Sequence, residues 1–392
     1  MWVAKTHIGG SLMKTTVKKI NIPNYRRLIV TSDIHGHYRY LKRLLEKVDL
    51  SEKDILFIIG DIIEKGPESL RTLRYIIKFC KEYSVYPLMG NVDAWQLVML
   101  DDDSTENCER LFNYIVYMKK HWGSCFFTDM CDELNLCIST SLDILEAKQR
   151  IRENFRAEIE FLHSLPTIIE TKNFIFVHGG LPTADIDSLI GTDAFPYLKN
   201  DAFMDKNLYF SKYVIVGHWP VTLYNDKIAS SNPIINHKQK IISIDGGCGL
   251  KRDGQLNAFI IPDINSTDFI FESYDEFPVY AALTPQEAST NSINIRYTDN
   301  KIKILEKGDE FSYAEHSTTG YCLPILNSYI YSFDENATCD DYTDYRLPVN
   351  VGDKISIVKK TSKGYLAKKN GISGWYYGEL KPFNIASSPL IF

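Results

Sequence analysis

Apolar positions along this chain fall into short runs, and each run ends in a polar motif of the same kind. Leu28-Ile29-Val30 leads into Ser32-Asp33-Ile34-His35-Gly36-His37. The run over 55–59 leads into Gly60-Asp61-Ile62-Ile63-Glu64-Lys65-Gly66-Pro67, and the run over 85–89 into Gly90-Asn91-Val92-Asp93. Between the runs the period changes, with apolar residues at 41, 44, 45 and 48 and again at 70, 73, 76 and 77, which is helical spacing. Strand-like runs alternating with amphipathic helices predict a parallel sheet with right-handed crossovers. Ligands bind at the carboxyl ends of strands in such sheets, where this chain delivers Asp, His and Asn. Carboxylate, imidazole and amide-oxygen donors converging there suit a Mn, Fe, Zn or Mg centre.

From residue 95 to 167 the pattern turns helical and irregular, and helices are expected over 110–122 and 144–164 as an inserted cap. Asp101-Asp102-Asp103 reads as a solvated turn. Three more runs follow the same rule. Residues 174–177 end at His178-Gly179-Gly180, residues 213–216 at Gly217-His218-Trp219-Pro220, and residues 241–244 at Asp245-Gly246-Gly247-Cys248-Gly249. Strands over 256–261 and 268–274 close the first domain. Residues 278–292 lose the apolar runs and read as a linker. Short β segments punctuated by turns come after it, with Asn370-Gly371 a strong hairpin turn.

Composition narrows the classes. A chain of 392 residues has room for two or three domains. Its formal net charge of −6 argues against a nucleic-acid partner bound through a broad basic surface. The 24 tyrosines fit a β-rich component. No apolar stretch reaches the length of a membrane span. Residues 1–12 lack the apolar core of a signal peptide, and Met13 reads as the natural start. The eight cysteines form no C-x-x-C pair, so they are expected to be free thiols in a reducing, cytoplasmic compartment.

The ordered series Asp-x-His-Gly, Gly-Asp-x-x-x-Lys-Gly, Gly-Asn-x-Asp, His-Gly-Gly and Gly-His resembles the calcineurin-like metallophosphoesterases over roughly residues 26–275. The likeness is greatest to the bacterial branch of serine/threonine protein phosphatases and diadenosine tetraphosphate hydrolases. It implies a β-sandwich flanked by helices, and a site of two divalent ions, manganese first, with Fe, Zn, Mg or Ni as alternatives. Asp33 and His35 would bind the first ion, Asp61 would bridge both, and Asn91, His178 and His218 would bind the second. Two such cations clamp a phosphate, activate a bridging water and stabilise the leaving oxygen. The substrate is then a phosphorylated protein, nucleotide or small molecule. Asp245 and its glycines resemble the turn that closes the family's site, a structural role.

Two departures stand out. The family's phosphomonoesterases carry Gly-Asn-His-Glu, whose His protonates the leaving alkoxide; here Val92 stands there and has no proton to give. They also carry Asp-Arg-Gly, whose Asp orients that His; here the triplet is Glu64-Lys65-Gly66. Lys65 can neutralise phosphate as a point charge, without the planar fork of Arg. Asp93 and His37 are candidates to supply the missing proton. His37 and Arg252 are further candidates for substrate contact. Phosphomonoesters, phosphodiesters and phosphoanhydrides stay open as substrates, beside a non-catalytic reading in which the site has decayed.

From Gly320 the chain resembles a bacterial Src-homology-3-type barrel, carried by Val351-Gly352-Asp353-Lys354-Ile355, Gly364-Tyr365-Leu366 and Gly371-Ile372-Ser373-Gly374-Trp375-Tyr376-Tyr377. That likeness implies a peptide ligand in an aromatic groove, although the same aromatics could equally build the small core. The expected organisation is an N-terminal lead (1–25), an α/β metallophosphoesterase domain (26–277), a linker and β segment (278–319), and a smaller all-β barrel (320–392).

Overall fold

The computed structural model describes residues 13–383; the N-terminal extension expected over residues 1–12 lies outside the described residues. The chain divides into two compact units. The first runs to Trp219 and adds Pro233–Leu250 and Leu256–Tyr274; the second takes Pro220–Asn232, Lys251–Gln255 and the chain from Asp275 on.

The first unit is mixed α/β, built on two sheets. One has five strands in the order Ile270–Tyr274, Leu256–Ile261, Leu28–Thr31, Ile55–Ile59, Val85–Leu88. Its last three strands are parallel neighbours, as the alternation predicts. The other sheet has six strands in the order Val17–Lys19, Ile168–Glu170, Phe174–Val177, Tyr213–Val216, Ile241–Ser243, Ile234–Asn236. Its central three are likewise mutually parallel. Each parallel triplet therefore sends three consecutive loops to one edge.

Strand periodicity decides what each face buries. Ile55, Phe57 and Ile59 join Leu28 and Val30 in the core between the sheets, while Ile29, Leu56 and Ile58 face the helices. Across the inter-sheet core Phe57 stacks on Phe176 with ring centroids 3.9 Å apart. Helices Tyr38–Lys47 and Ser69–Glu82 bury Leu41, Leu44, Leu45, Leu70, Leu73 and Ile76.

The cap forms five helices: Asn91–Asp101, Thr105–Trp122, Phe126–Glu133, Asp143–Asn154 and Arg156–His163. The single helix expected over 144–164 is broken at Phe155, whose backbone leaves helical values (φ −113°, ψ 34°) as its side chain is buried. The N-terminal lead also does more than lead. Val17–Lys19 pairs in parallel with Ile168–Glu170 as an edge strand.

The second unit is all β. Its largest sheet runs Leu380–Pro382, Val279–Ala282, Lys354–Lys360, Tyr365–Lys369, Ile372–Tyr376, Ala229–Ser230, every pair antiparallel. A three-stranded meander (Ile302–Glu306, Phe311–His316, Cys322–Leu326) and a two-stranded pair (Asn294–Ile295, Tyr342–Thr343) complete it. The turn at Asn370-Gly371 has both residues at positive φ (50° and 75°) and closes the expected hairpin.

One feature differs from the expected organisation, and the two readings of the C-terminal aromatics separate residue by residue. The stretch read as a linker contains the strand Val279–Ala282, whose Ala282 is buried; the run is short, follows Pro278 and is half alanine, which weakens its strand signal. Among the candidate groove aromatics, Trp375 is core and donates from Nε1 to the Thr343 carbonyl (2.8 Å). Tyr376 is also core and donates to the Thr284 carbonyl (2.7 Å). Tyr377 is the exposed member of the three.

Candidate metal centre

The loops at the strand ends are held in a conformation most residues avoid. Asp33 (φ 54°), His35 (48°), Asp61 (49°), Glu64 (72°), Lys65 (62°) and His218 (67°) all lie in the left-handed region. Such backbone costs about 1–3 kcal/mol per residue and persists only where the surroundings over-determine it. Here strain and candidate chemistry coincide. Glycine is required beside them: a Cβ on Gly90 would sit 2.0 Å from the Asp61 amide nitrogen, and one on Gly217 would sit 2.3 Å from Asp33 Oδ2.

The structure brings the six sequence-identified ligand candidates together, along with Lys65. Ligand atoms of Asp33, His35 and Asp61 all lie within 4.8 Å of one another. Asp61 faces two ways. Its Oδ2 is 3.7 Å from His35 Nε2, and its Oδ1 is 3.3 Å from His178 Nε2. The Asn91 side-chain oxygen is 3.1 Å from the same His178 nitrogen. Asp33 Oδ2 accepts from the Ser32 hydroxyl and from the His218 amide (2.9 Å). The other oxygen of Asp33 is buried with no hydrogen-bond partner, as is Asp245 Oδ2. Orphaned carboxylate oxygens beside convergent imidazoles fit a divalent cation.

Each imidazole has an acceptor behind it, which sets the tautomer. His178 donates from Nδ1 to the Ile59 carbonyl (2.8 Å), and His35 Nδ1 faces the Ile63 carbonyl (3.4 Å), so each presents Nε2. His218 is reversed: its Nε2 meets the Asp201 carboxylate at 2.7 Å, so Nδ1 is the nitrogen that keeps its lone pair. Asp201 has no motif around it, and no local signal in the sequence could have found it.

Electrostatics divide these groups. Burial, with Lys65 adding to it, keeps His35 neutral, and burial pushes His218 down to about 4. Burial also opposes charge on His178, but Asp61 and Asp33 outweigh it and raise its pKa to about 10. Burial would raise Asp61, yet His178, His35 and Lys65 hold it well below the usual carboxylate range. A cation held by His178 would therefore have to displace its proton. With His178 as a ligand, uptake is expected to release about one proton near pH 8, and affinity to rise about tenfold per pH unit between about pH 7 and pH 10. Calorimetry in buffers of different ionisation enthalpy measures the release directly, and a value of zero would contradict the assignment.

The other candidates land in different places. Lys65 is half-buried with Nζ 3.5 Å from His35 Nε2. His37 is half-buried, with Nδ1 2.8 Å from the His35 carbonyl. Asp93 is fully buried, and its carboxylate accepts from the amides of Ile62 (3.0 Å), Ile63 (3.3 Å) and Gly90 (3.0 Å). It braces the Asp61 loop, and its oxygens are taken up there rather than free to protonate a leaving group. Arg252 belongs to the second unit, where its guanidinium pairs with Asp340 (2.7 Å) and lies over Tyr329. Lys251 is buried in that unit against Asp341. Neither is a free anion contact.

Glu64, at the position of the family's orienting Asp, is buried and fully committed. It accepts from Gln96 Nε2 (2.5 Å), the Tyr114 hydroxyl (2.9 Å) and the Phe126 amide (3.0 Å). Burial raises its pKa to about 7. A raised carboxyl contributes stability that is full below its ordinary pKa of 4.5 and lost as pH rises through 7. In metal-free protein, Glu64→Gln should therefore flatten the fall in melting temperature between pH 5 and pH 8. Parallel curves for variant and wild type would exclude this.

The calcineurin-like phosphoesterase family profile matches residues 26–240, more than half of the chain, and the chain belongs to that family. Serine/threonine-protein phosphatase 2 of Escherichia coli (strain K12) is 43% identical over 63 residues, 16% of this chain and 29% of that protein. A symmetrical bis(5'-nucleosyl)-tetraphosphatase of Legionella pneumophila (strain Philadelphia 1) is 25% identical over 191 residues, 43% of this chain and 62% of that protein. A solved metallophosphoesterase from Sphaerobacter thermophilus superposes with a TM-score of 0.36 at 14% identity, over 64% of this chain and 89% of that one. The chain thus spans less than two thirds of these two curated relatives. Members of this family use divalent metal ions, and the Asp33–His35–Asp61 group has the geometry to hold one. No helix among the described residues is long and apolar enough to cross a membrane.

Proposed function

We propose that this protein is a hydrolase of phosphate esters or phosphoanhydrides that works with two divalent cations, manganese first, on substrates with good leaving groups. The observation that carries the reading is the two-sided Asp61 carboxylate, with His35 off one oxygen and His178 and Asn91 off the other. Asp33, His35 and Asp61 would hold one cation, and Asp61, Asn91, His178 and His218 the other. When bound, the cations supply a hydroxide nucleophile and charge for the phosphoryl oxygens. Lys65, with its ammonium beside His35, adds a positive charge for the substrate phosphate. Asp93 and the left-handed loops keep the carboxylates in register. Val92 donates only its backbone amide, to Asp61 Oδ1 (2.9 Å), so the leaving group departs without a proton from that position. The absence of disulfides among the eight cysteines, all within the described residues, supports a cytoplasmic address.

The missing proton favours nucleoside phosphoanhydrides and aryl esters over alkyl phosphomonoesters. The names of the tetraphosphatase relatives are consistent with that preference. The test is hydrolysis by the full chain with Mn²⁺ of p-nitrophenyl phosphate, bis-p-nitrophenyl phosphate, diadenosine tetraphosphate and a phosphoserine peptide, with and without chelator. Metal-dependent turnover of the anhydride or aryl esters supports the reading. Retained metal with no turnover of any of the four substrates would replace it with a binding role.

A further inference from the structure

We propose that Asp201 is a positioning residue for the second cation: it holds the Nε2–H of His218 so that Nδ1 is presented as the ligand. This rests on reading His218 as a ligand. Two of the three site imidazoles are backed by backbone carbonyls, those of Ile63 and Ile59. The third is backed by a side chain, through the 2.7 Å contact between Asp201 Oδ1 and His218 Nε2. A carboxylate accepts only, so the proton belongs to Nε2 and the Nδ1 lone pair is free. A charged acceptor behind an imidazole also makes its other nitrogen a better donor to metal.

The placement of Asp201 is built rather than incidental. It lies between the helical turn Phe195–Leu198 and the 3-10 turn Phe203–Lys206, beside Ala202 in a left-handed conformation (φ 52°). The same segment ties down the loop of another candidate ligand. The amides of Gly179 and Gly180, immediately after His178, both donate to the Tyr197 carbonyl at 2.9 Å and 3.0 Å. Neighbouring Asn200 is clamped by Lys206. His178 and His218 are thus both referenced to residues 197–201. They are carried by neighbouring parallel strands, and their rings lie 5.4 Å apart. Removing the Asp201 carboxylate would free the His218 ring to turn, while leaving Asp33, His35 and the shared Asp61 untouched.

The experiment is a Mn²⁺ titration of the full chain followed by electron paramagnetic resonance, which separates an isolated ion from an exchange-coupled pair. Asp201→Ala is expected to bind the first ion normally. It should need about 10–100-fold more Mn²⁺ to form the pair, with the pair signal and turnover restored at high Mn²⁺. Asp201→Asn, whose amide oxygen still accepts the N–H without the charge, should fall between. Both variants should keep the melting temperature of the metal-free protein. His218→Ala is the reference and should lose the pair. If His218→Ala loses the pair while Asp201→Ala and Asp201→Asn form it at wild-type Mn²⁺, the role of Asp201 is refuted. If His218→Ala itself keeps the pair, the ligand assignment beneath it is refuted instead.

Discussion

Replacing Asp33 by Asn is expected to abolish metal-dependent hydrolysis, by about 10³-fold or more, and at the same time to raise the melting temperature of the metal-free protein at pH 8. Burial pushes the Asp33 carboxyl up to about 6; Asp61 adds to the shift and the His178 charge opposes it. A carboxyl raised in the folded state stabilises fully below its ordinary pKa of 3.8, and that contribution is lost as pH rises through 6. At pH 8 the ionised Asp33 is thus a penalty that a bound cation relieves and that Asn removes. The amide oxygen can still accept from Ser32 and the His218 amide, so little packing is lost. Activity with Mn²⁺ and melting in chelator, at pH 4 and pH 8, check both halves. Opposite signs mark a residue kept for function against stability. A variant that is less stable in chelator at pH 8 would show that Asp33 serves the fold instead.

The second large effect is on leaving groups. General acid catalysis contributes about 10²–10⁴-fold, and its absence weighs most on poor leaving groups. We expect kcat/KM for p-nitrophenyl phosphate or a nucleoside phosphoanhydride to exceed that for a phosphoserine peptide by an extra factor of this size. Val92→His should recover less than about tenfold of it. The reason is Glu64, the carboxylate that would have to orient a new imidazole. Its oxygens are already taken by Gln96, Tyr114 and the Phe126 amide, all on the cap helices. Rapid phosphopeptide hydrolysis by the wild type would mean that a group other than residue 92 delivers the proton.

The edge that gathers the candidate ligands was legible because two local signals coincide there, an apolar run and a ligand-type residue just past its end. Each needs only about six residues of context, as at Ile55–Ile59 before Asp61. What could not be read depends on distance along the chain. Asp201 meets His218 across 17 residues without a motif, and Arg252 meets Asp340 across 88. Glu64 finds Tyr114 and Phe126 on helices 50 and 62 residues later. Asp93 looked chemical because of its place in Gly-Asn-x-Asp, and only the fold showed three backbone amides on its oxygens. The linker reading failed for a related reason: Val279–Ala282 becomes a strand through partners at Lys354–Lys360 and Leu380–Pro382, far beyond any local window.

The second unit's sheet is finished by Ala229–Ser230, which pairs with Ile372 and Ser373 and comes from the stretch just after His218. Lys251–Gln255 follows the glycine turn after Asp245 in the same way and is held by Asp340 and Asp341. The two units therefore do not correspond to two cassettes of the gene. A recombination joint at residue 275 would hand on a sheet whose strand Ile372–Tyr376 lacks its neighbour, an open edge prone to sticking to other chains. Inheritance of this all-β unit is thereby linked to inheritance of the chain that forms the first unit, and shuffling it onto another protein requires carrying both inserted segments along.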